Sequence, residues 1–140
     1  MRRRDPEGLT LLVVDDDADL RLYVRQCVSG AIPSFARVLE AADGVSGLEL
    51  LAAEPVDMVV CDVVMRRMDG LEMCRRFRLD PRSAGTPILL MTGTDAFEDT
   101  LRRARDAGAD GVVPKPFNAS RLRAAIREAM QARGVAERPP

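Results

Sequence analysis

Two apolar runs that do not alternate with polar residues constrain this chain more than any other feature: Leu9 to Val14, and Met58 to Cys61. A strand half covered by solvent alternates, so these runs need cover on both faces, as in a parallel sheet between helix layers. Each run ends in acid, with Asp15-Asp16-Asp17 after the first and Asp62 after the second. A carboxylate where a buried strand gives way to loop is costly unless it is paired or faces water, and open α/β sheets bind ligands at that carboxyl edge. Taken alone, the second run is equally compatible with an aspartate that only starts a loop.

The chain between and beyond these runs alternates in the same way. Leu20, Tyr23, Val24, Cys27 and Val28 have amphipathic-helix spacing, and Asp17 and Asp19 before them read as helix-start acids rather than ligands. Gly30 to Pro33 breaks that helix, and Phe35 to Leu39 predicts a short strand. Asp43 can cap a helix holding Val45, Leu48 and Leu51, which stops before Pro55. After Asp62, the turn at Asp69-Gly70 starts a helix with Leu71, Cys74 and Phe77, ended by Asp80-Pro81. A polar loop from Arg82 to Thr86 leads to a fourth strand, Ile88 to Met91, with Thr92-Gly93 at its end.

Asp95 and Glu98 stand at capping-box spacing and open a helix carrying Phe97, Leu101 and Ala104, which Gly108 closes. Val112-Val113 is a short fifth strand running into Pro114-Lys115-Pro116-Phe117. Asn118 caps a last helix whose stripe is Leu122, Ala125, Ile126, Ala129 and Met130. The order predicts an α/β fold of (βα)5 type with a parallel sheet. One domain is expected over residues 9–132, with a flexible arm at 1–8 and a tail or linker stub at 133–140. Nothing after the last helix reads as a second domain, which fits either a stand-alone domain or a piece of a longer protein.

Composition narrows the chemistry. A net charge of -1 with mixed signs gives no general nucleic-acid footprint, and the apolar runs are too short to span a bilayer. The 3 cysteines, Cys27, Cys61 and Cys74, lie in apolar patterns without metal-ligand spacing and read as buried thiols in a reduced compartment. Met1 to Gly8 is polar and basic rather than a secretory signal, so the cytoplasm is expected. With 0 histidines, imidazole triads and phosphohistidine within this chain are excluded. Of 21 basic residues a single one, Lys115, is lysine, which marks a place that needs a compact ammonium.

Strand ends therefore offer Asp15-Asp16, Asp62, Thr92 and Lys115. In a parallel sheet these ends share one edge. Carboxylates gathered there repel one another, which a hard cation such as Mg2+ would relieve, while a hydroxyl and an ammonium opposite could hold an anion bridging to it. Such a set suits phosphoryl transfer.

From Leu9 to about Ala132 the chain resembles the receiver domain of two-component response regulators, the CheY-like family. The resemblance is carried by Leu-Val-Val-Asp-Asp at its start, Cys-Asp-Val-Val-Met-Arg-Arg-Met-Asp-Gly from Cys61, Pro-Ile-Leu-Leu-Met-Thr-Gly from Pro87, and Gly-Ala-Asp-Gly-Val-Val-Pro-Lys-Pro-Phe from Gly108. It implies a flavodoxin-like doubly wound sheet in the order 2-1-3-4-5, with Asp62 as phosphoacceptor. It further implies Mg2+ held by Asp16, Asp62 and the Val64 carbonyl, with Asp15 assisting through water. Thr92, the Gly93 backbone N–H and Lys115 would contact the phosphoryl oxygens, and the Lys115-Pro116 bond would be cis. The donor would be a phosphohistidine on a sensor histidine kinase or a histidine phosphotransfer protein, and phosphorylation would draw Thr92 inward. That movement would shift the face made by the fourth helix, fifth strand and fifth helix toward a downstream protein target, leaving open a phosphorylation-dependent homodimer. No direct nucleic-acid or membrane partner is implied.

Three departures from the family pattern follow. Arg66 stands where proline is usual, so Arg66-Arg67 is either a lure for an anionic partner or a solvated loop. Val112 stands where an aromatic switch residue is usual. Val64 and Thr94 occupy positions that tune water access, and an apolar Val64 implies slow loss of phosphate. Two other classes stay open: an interaction-only pseudo-receiver, and a phosphatase of the haloacid dehalogenase type, whose Asp-x-Asp opening is imitated by Asp15-x-Asp17.

Overall fold

The computed structural model describes residues 8–31 and 33–135, so the expected arm and tail lie largely outside the described residues. Strands and helices alternate: β1 (Leu9–Val14), α1 (Ala18–Val28), β2 (Phe35–Ala41), α2 (Gly44–Ala53), β3 (Met58–Asp62), α3 (Gly70–Arg78), β4 (Ile88–Gly93), α4 (Phe97–Ala107), β5 (Gly111–Lys115) and α5 (Ala119–Ala132). The strands form one sheet in the order β2-β1-β3-β4-β5, and every pairing is parallel. This is the expected fold class. No helix among the described residues is long and apolar enough to cross a membrane.

Burial on both faces explains the non-alternating runs. Leu11 and Val13 of β1 and Met58 and Val60 of β3 pack against Val24 and Val28 of α1 and Leu122, Ile126 and Met130 of α5. Their neighbours Leu12, Val14, Val59 and Cys61 turn to the other layer, against Leu51, Leu71, Met73 and Phe77 of α2 and α3. Successive side chains point to opposite faces, so a strand between two helix layers is apolar at nearly every position, with Thr10 the buried exception in β1. All three cysteines are buried and unpaired within these layers.

Short side chains start most helices as the sequence indicates. Asp17 accepts hydrogen bonds from the N–H groups of Asp19 and Leu20, Asp43 from Ser46, Asp69 from Glu72, and Asn118 from Arg121. Each fills orphan donors of a first turn. Gly108 ends α4 in the left-handed region at φ 92°.

Helix α4 departs from expectation. The capping box at Asp95 and Glu98 does not form: residues Thr94–Ala96 make a 3-10 turn, and α4 begins at Phe97 behind Ala96, with no side-chain cap. The later start rotates the inward stripe to Thr100, Ala104 and Ala107, and Leu101 is 45% exposed. The expected polar loop after α3 is also partly ordered, as a 3-10 helix over Pro81–Gly85 capped by Asp80. Strands β2, β4 and β5 extend past their apolar cores because parallel partners continue alongside; Thr92 pairs with Pro114 and Gly93 with Lys115. Pro114 is tolerated because β5 is an edge strand.

A network that the sequence did not announce fixes the opposite edge of the sheet. Asp110, just before β5, binds Arg78 of α3 at 3.0 Å and Arg133 after α5 at 2.7 Å, and accepts the Ile88 N–H at the start of β4 at 2.9 Å. Arg78 also donates to the carbonyls of Gly108 and Ser83.

Gly70 is where the fold approaches the acidic edge most tightly. Its N–H donates to the Val63 carbonyl at 2.8 Å, and a Cβ there would collide with the backbone carbonyl of Asp62. The obstacle is main chain and cannot rotate away. Gly70→Ala is therefore expected to destabilise the fold by about 1–3 kcal/mol, the range of overpacking at a close contact, as measured by the urea midpoint. An unchanged midpoint would show that β3 and α3 separate at no cost.

Candidate functional site

The parallel sheet brings the far-apart polar residues to one edge. Asp15 and Asp16 follow β1, Asp62 is the last residue of β3, and Lys115 is the last residue of β5. The Lys115 Nζ lies 2.9 Å from Asp62 Oδ1 and 3.7 Å from Asp15 Oδ2. Asp15, Asp16 and Asp62 each present one carboxylate oxygen, and these lie within 4.8 Å of one another. Asp15 and Asp62 are buried, whereas Asp16 is exposed and opens the cluster to solvent.

Two surrounding bonds hold the acids in place. Asp15 Oδ1 accepts the Asp17 N–H at 2.9 Å, and the Asp15 carbonyl accepts Arg21 NH1 at 2.7 Å. Asp15 Oδ2 is buried without a hydrogen-bond partner, and the Lys115 ammonium lies 3.7 Å from it. A buried carboxylate oxygen left in this state is strongly disfavoured.

The protonation equilibria record the same crowding. Burial, with Asp62 and Asp16 close by, raises the Asp15 carboxyl from 3.8 to about 6 against the pull of the Asp17 N–H and Lys115. Burial also pushes Asp62 upward, opposed by its hydrogen bond and charge contact with Lys115. For Lys115 burial acts downward, but the bond to Asp62 and the charges of Asp62 and Asp15 outweigh it, and the ammonium is stabilised. One lysine therefore serves an acid cluster that carries more negative charge than it can neutralise.

The donor set fits a hard divalent cation. Two buried carboxylates and one exposed one, with an oxygen lacking a partner, supply the oxygen ligands and the excess charge that such an ion takes, and Asp16 leaves room for water. Val64 lies two residues past β3 and is 75% exposed.

Thr92 is at the same edge, but its hydroxyl is turned elsewhere. It is 3.1 Å from the hydroxyl of Thr100 in α4, and both residues are buried. Thr94 donates to the Lys115 carbonyl at 2.7 Å, tying the turn before α4 to the end of β5. The Lys115-Pro116 bond is cis, as the resemblance implies. Tyr23 of α1 donates to the Phe117 carbonyl at 2.8 Å, and the two rings pack with centroids 5.9 Å apart. Arg67 has φ 70° and reaches Asp43 at 3.7 Å, while Arg66 is exposed, so half of that arginine pair is directed away from the acids.

Sequence reasoning missed Thr100 and Arg21, and it assigned Thr94 to water access without its bond to the Lys115 carbonyl. Thr100 carried the one usable signal, a polar residue where the rotated stripe of α4 faces inward.

Comparison with known proteins agrees with this geometry. The response regulator receiver domain model matches residues 11–127. Response regulator MprA of Mycobacterium ulcerans is 40% identical over 122 residues, covering 86% of this chain and 49% of that protein. The chain thus spans about half the length of the curated relatives it matches. Among solved structures, the chemotaxis response regulator CheY4 of Vibrio cholerae superposes with TM-score 0.79 at 28% identity, covering 87% of this chain and 98% of that one. Response regulator DrrB of Thermotoga maritima, an OmpR/PhoB homologue, superposes with TM-score 0.74 at 28% identity, covering 89% and 54%. The acid edge with its lysine, the strand order and the match over most of the chain lead to one conclusion: this chain belongs to the receiver domain family of two-component response regulators.

Proposed function

We propose that this receiver domain accepts a phosphoryl group on Asp62 and signals through it, rather than turning over a substrate of its own. The observation that carries this reading is the 2.9 Å contact between Lys115 Nζ and Asp62 Oδ1, made beside two further carboxylates. A carboxylate held at the mouth of a buried strand, with an ammonium on one side and a cation-binding acid set on the other, is a nucleophile placed for phosphorus.

An oxygen of the Asp62 carboxylate attacks the phosphorus of a phosphohistidine on a histidine kinase or phosphotransfer protein. The P–O bond to Asp62 forms as the P–N bond breaks, and the imidazole leaves with the electron pair of that bond. Because this chain has 0 histidines, the donor is a separate molecule or lies outside this sequence. The Lys115 ammonium stays with the oxygens as charge moves onto the phosphoryl group. Asp15, Asp16 and Asp62, with the Val64 carbonyl, would hold Mg2+, which supplies charge neutralisation and orientation. Thr92 and the Gly93 N–H stand at the end of β4 to receive the transferred oxygens. Water later attacks the same phosphorus, releasing inorganic phosphate and restoring the carboxylate; an apolar Val64 implies that this is slow. The downstream partner is a protein reading the face of α4, β5 and α5.

The geometry argues against a haloacid-dehalogenase-type phosphatase, because Asp17, its second required acid, caps α1 through the N–H groups of Asp19 and Leu20. The Lys115 to Asp62 contact argues against an interaction-only pseudo-receiver.

Incubation with acetyl phosphate and Mg2+ is expected to add one phosphoryl group by intact mass, and Asp62→Asn is expected to add none. Equal labelling of the two proteins would place the acceptor elsewhere.

Mg2+ that binds only the folded state should raise the melting temperature, adding roughly 2.7 kcal/mol at a hundredfold excess over Kd. Asp16→Asn should remove most of that rise in calorimetry, the suitable readout because the chain has no tryptophan. A rise that survives the substitution would place the ion elsewhere.

In EDTA, the raised Asp15 carboxyl makes the folded state bind more protons than the unfolded chain between 3.8 and about 6. Its contribution to stability is therefore full below that window and is lost as pH rises through it. Wild type is expected to lose stability relative to Asp15→Asn over that interval, read from urea midpoints at each pH. Parallel profiles would show that Asp15 titrates at its ordinary value.

A further inference from the structure

The acids at the end of β1 are held by a chain of bonds that runs outward to the edge strand β2. The Asp15 N–H donates to the Ala41 carbonyl at 3.1 Å, Asp15 Oδ1 accepts the Asp17 N–H at 2.9 Å, and the Asp15 carbonyl accepts the Arg21 guanidinium at 2.7 Å. Among the polar atoms of Asp15, Oδ2 alone is left without a hydrogen bond. Arg21 lies in the first turns of α1, and its Nε donates to Glu40 Oε1 at 2.9 Å. The other oxygen of Glu40 accepts Arg25 at 2.8 Å, and the same arginine nitrogen donates to the Val38 carbonyl at 3.0 Å. Glu40 pairs with Val13 across the β1 and β2 ladder, so it stands on the face of the sheet that α1 covers.

The carbonyl that Arg21 holds belongs to the peptide joining Asp15 to Asp16. A peptide unit is planar, so fixing its oxygen fixes the direction in which the chain enters Asp16. Such a restraint has work to oppose. The three carboxylates lie within 4.8 Å of one another, Asp16 is the exposed one, and repulsion favours its turning out into water. A guanidinium so close to the acids also repels any cation they bind. Glu40 takes up part of that charge, and its bonds to Arg25 and Arg21 hold its carboxyl below the usual carboxylate range and therefore ionised.

We propose that Arg21 is a positioning residue of the cation site. Its fork joins the Asp15 carbonyl to Glu40 and keeps the Asp15-Asp16 peptide in the orientation that lets both carboxylates meet one ion, while Glu40 fixes the fork from β2. The inference rests on the Mg2+ reading above and deepens it. A purely electrostatic role would have the opposite sign: removing a guanidinium that only repels the ion tightens Mg2+ binding, whereas removing one that orients the ligands weakens it. Lysine keeps the charge but lacks the planar fork that spans a carbonyl and a carboxylate in fixed directions.

Calorimetric titration of Mg2+ into the wild type, Arg21→Met, Arg21→Lys, Glu40→Gln and the double variant of Arg21→Met with Glu40→Gln tests it, with urea midpoints in EDTA recorded for each. Methionine retains much of the apolar stem and removes the fork. Arg21→Met is expected to raise the Kd about tenfold, the low end of what the outer partners of metal ligands contribute, and Arg21→Lys to raise it by less at unchanged charge. Glu40→Gln is expected to weaken binding in the same direction, and the double variant to match Arg21→Met alone, because Glu40 acts through Arg21. An Arg21→Met protein that binds Mg2+ as tightly as the wild type, or more tightly, overturns the inference even if its urea midpoint falls, since a merely structural arginine lowers stability and leaves the Kd of the folded protein unchanged. Wild-type affinity in Arg21→Lys overturns it as well, so the test stands even where methionine prevents folding. Losses that add in the double variant overturn the route from Glu40 through Arg21. A wild type without Mg2+ binding that Asp16→Asn removes overturns the Mg2+ reading itself, and the positioning role falls with it.

Discussion

The structure depends on one electrostatic constraint: a carboxylate ends the central strand of a two-sided apolar sheet, and it must be balanced there. Asp62 cannot retreat into the core between Val60 and Met91, and it cannot reach bulk water as Asp16 does. Its balance comes from Lys115, two strands away in the order β3-β4-β5. That contact demands that β4 and β5 be in register, which places Thr92 and Gly93 at the same edge. The close passage of Gly70 over the Asp62 carbonyl follows from the same demand, since α3 must leave the strand end without covering the acid.

The two edges of the sheet handle charge differently. At the N-terminal edge Asp110 is satisfied twice over by Arg78 and Arg133, whose planar guanidinium groups also collect the Gly108 carbonyl. Forked donors suit a junction where α3, β4, β5 and α5 are to be fixed together. At the opposite edge three carboxylates share one compact ammonium, and Asp15 keeps a buried oxygen without a hydrogen-bond partner. One end is complete, and the other has excess negative charge that a cation can compensate. Local dissatisfaction in an otherwise consistent fold marks the working end.

Helix α4 is the least consistent element of the fold. It lacks an N-terminal side-chain cap, buries small side chains and leaves Leu101 exposed, while the surrounding helices present fuller apolar stripes. Elements with little buried surface open at low free energy, and moving parts are drawn from them. Thr94 and Thr92 sit in the connection to this helix, one hydroxyl bound to the Lys115 carbonyl and the other to Thr100, so α4 is joined to the charged edge through two short side chains.

The sequence by itself determined the alternation of strands and helices, the sheet's burial on both faces and the set of polar residues at the strand ends. Those are local properties: apolar runs such as Leu9–Val14, caps such as Asp43 and Asn118, and a lone lysine in an arginine-rich chain are legible without knowing what lies across the fold. The start of α4 was misread from the same kind of signal, because Asp95 and Glu98 have capping spacing but the preceding turn is shaped by a bond from Thr94 to a residue on another strand. Tertiary structure alone decided which hydroxyl Thr92 faces, that Asp110 joins Arg78 to Arg133, and that Asp15 is left with an unpartnered oxygen. Each of these depends on distances between residues far apart in the chain, and periodicity along a sequence carries no information about which side chains meet across a sheet.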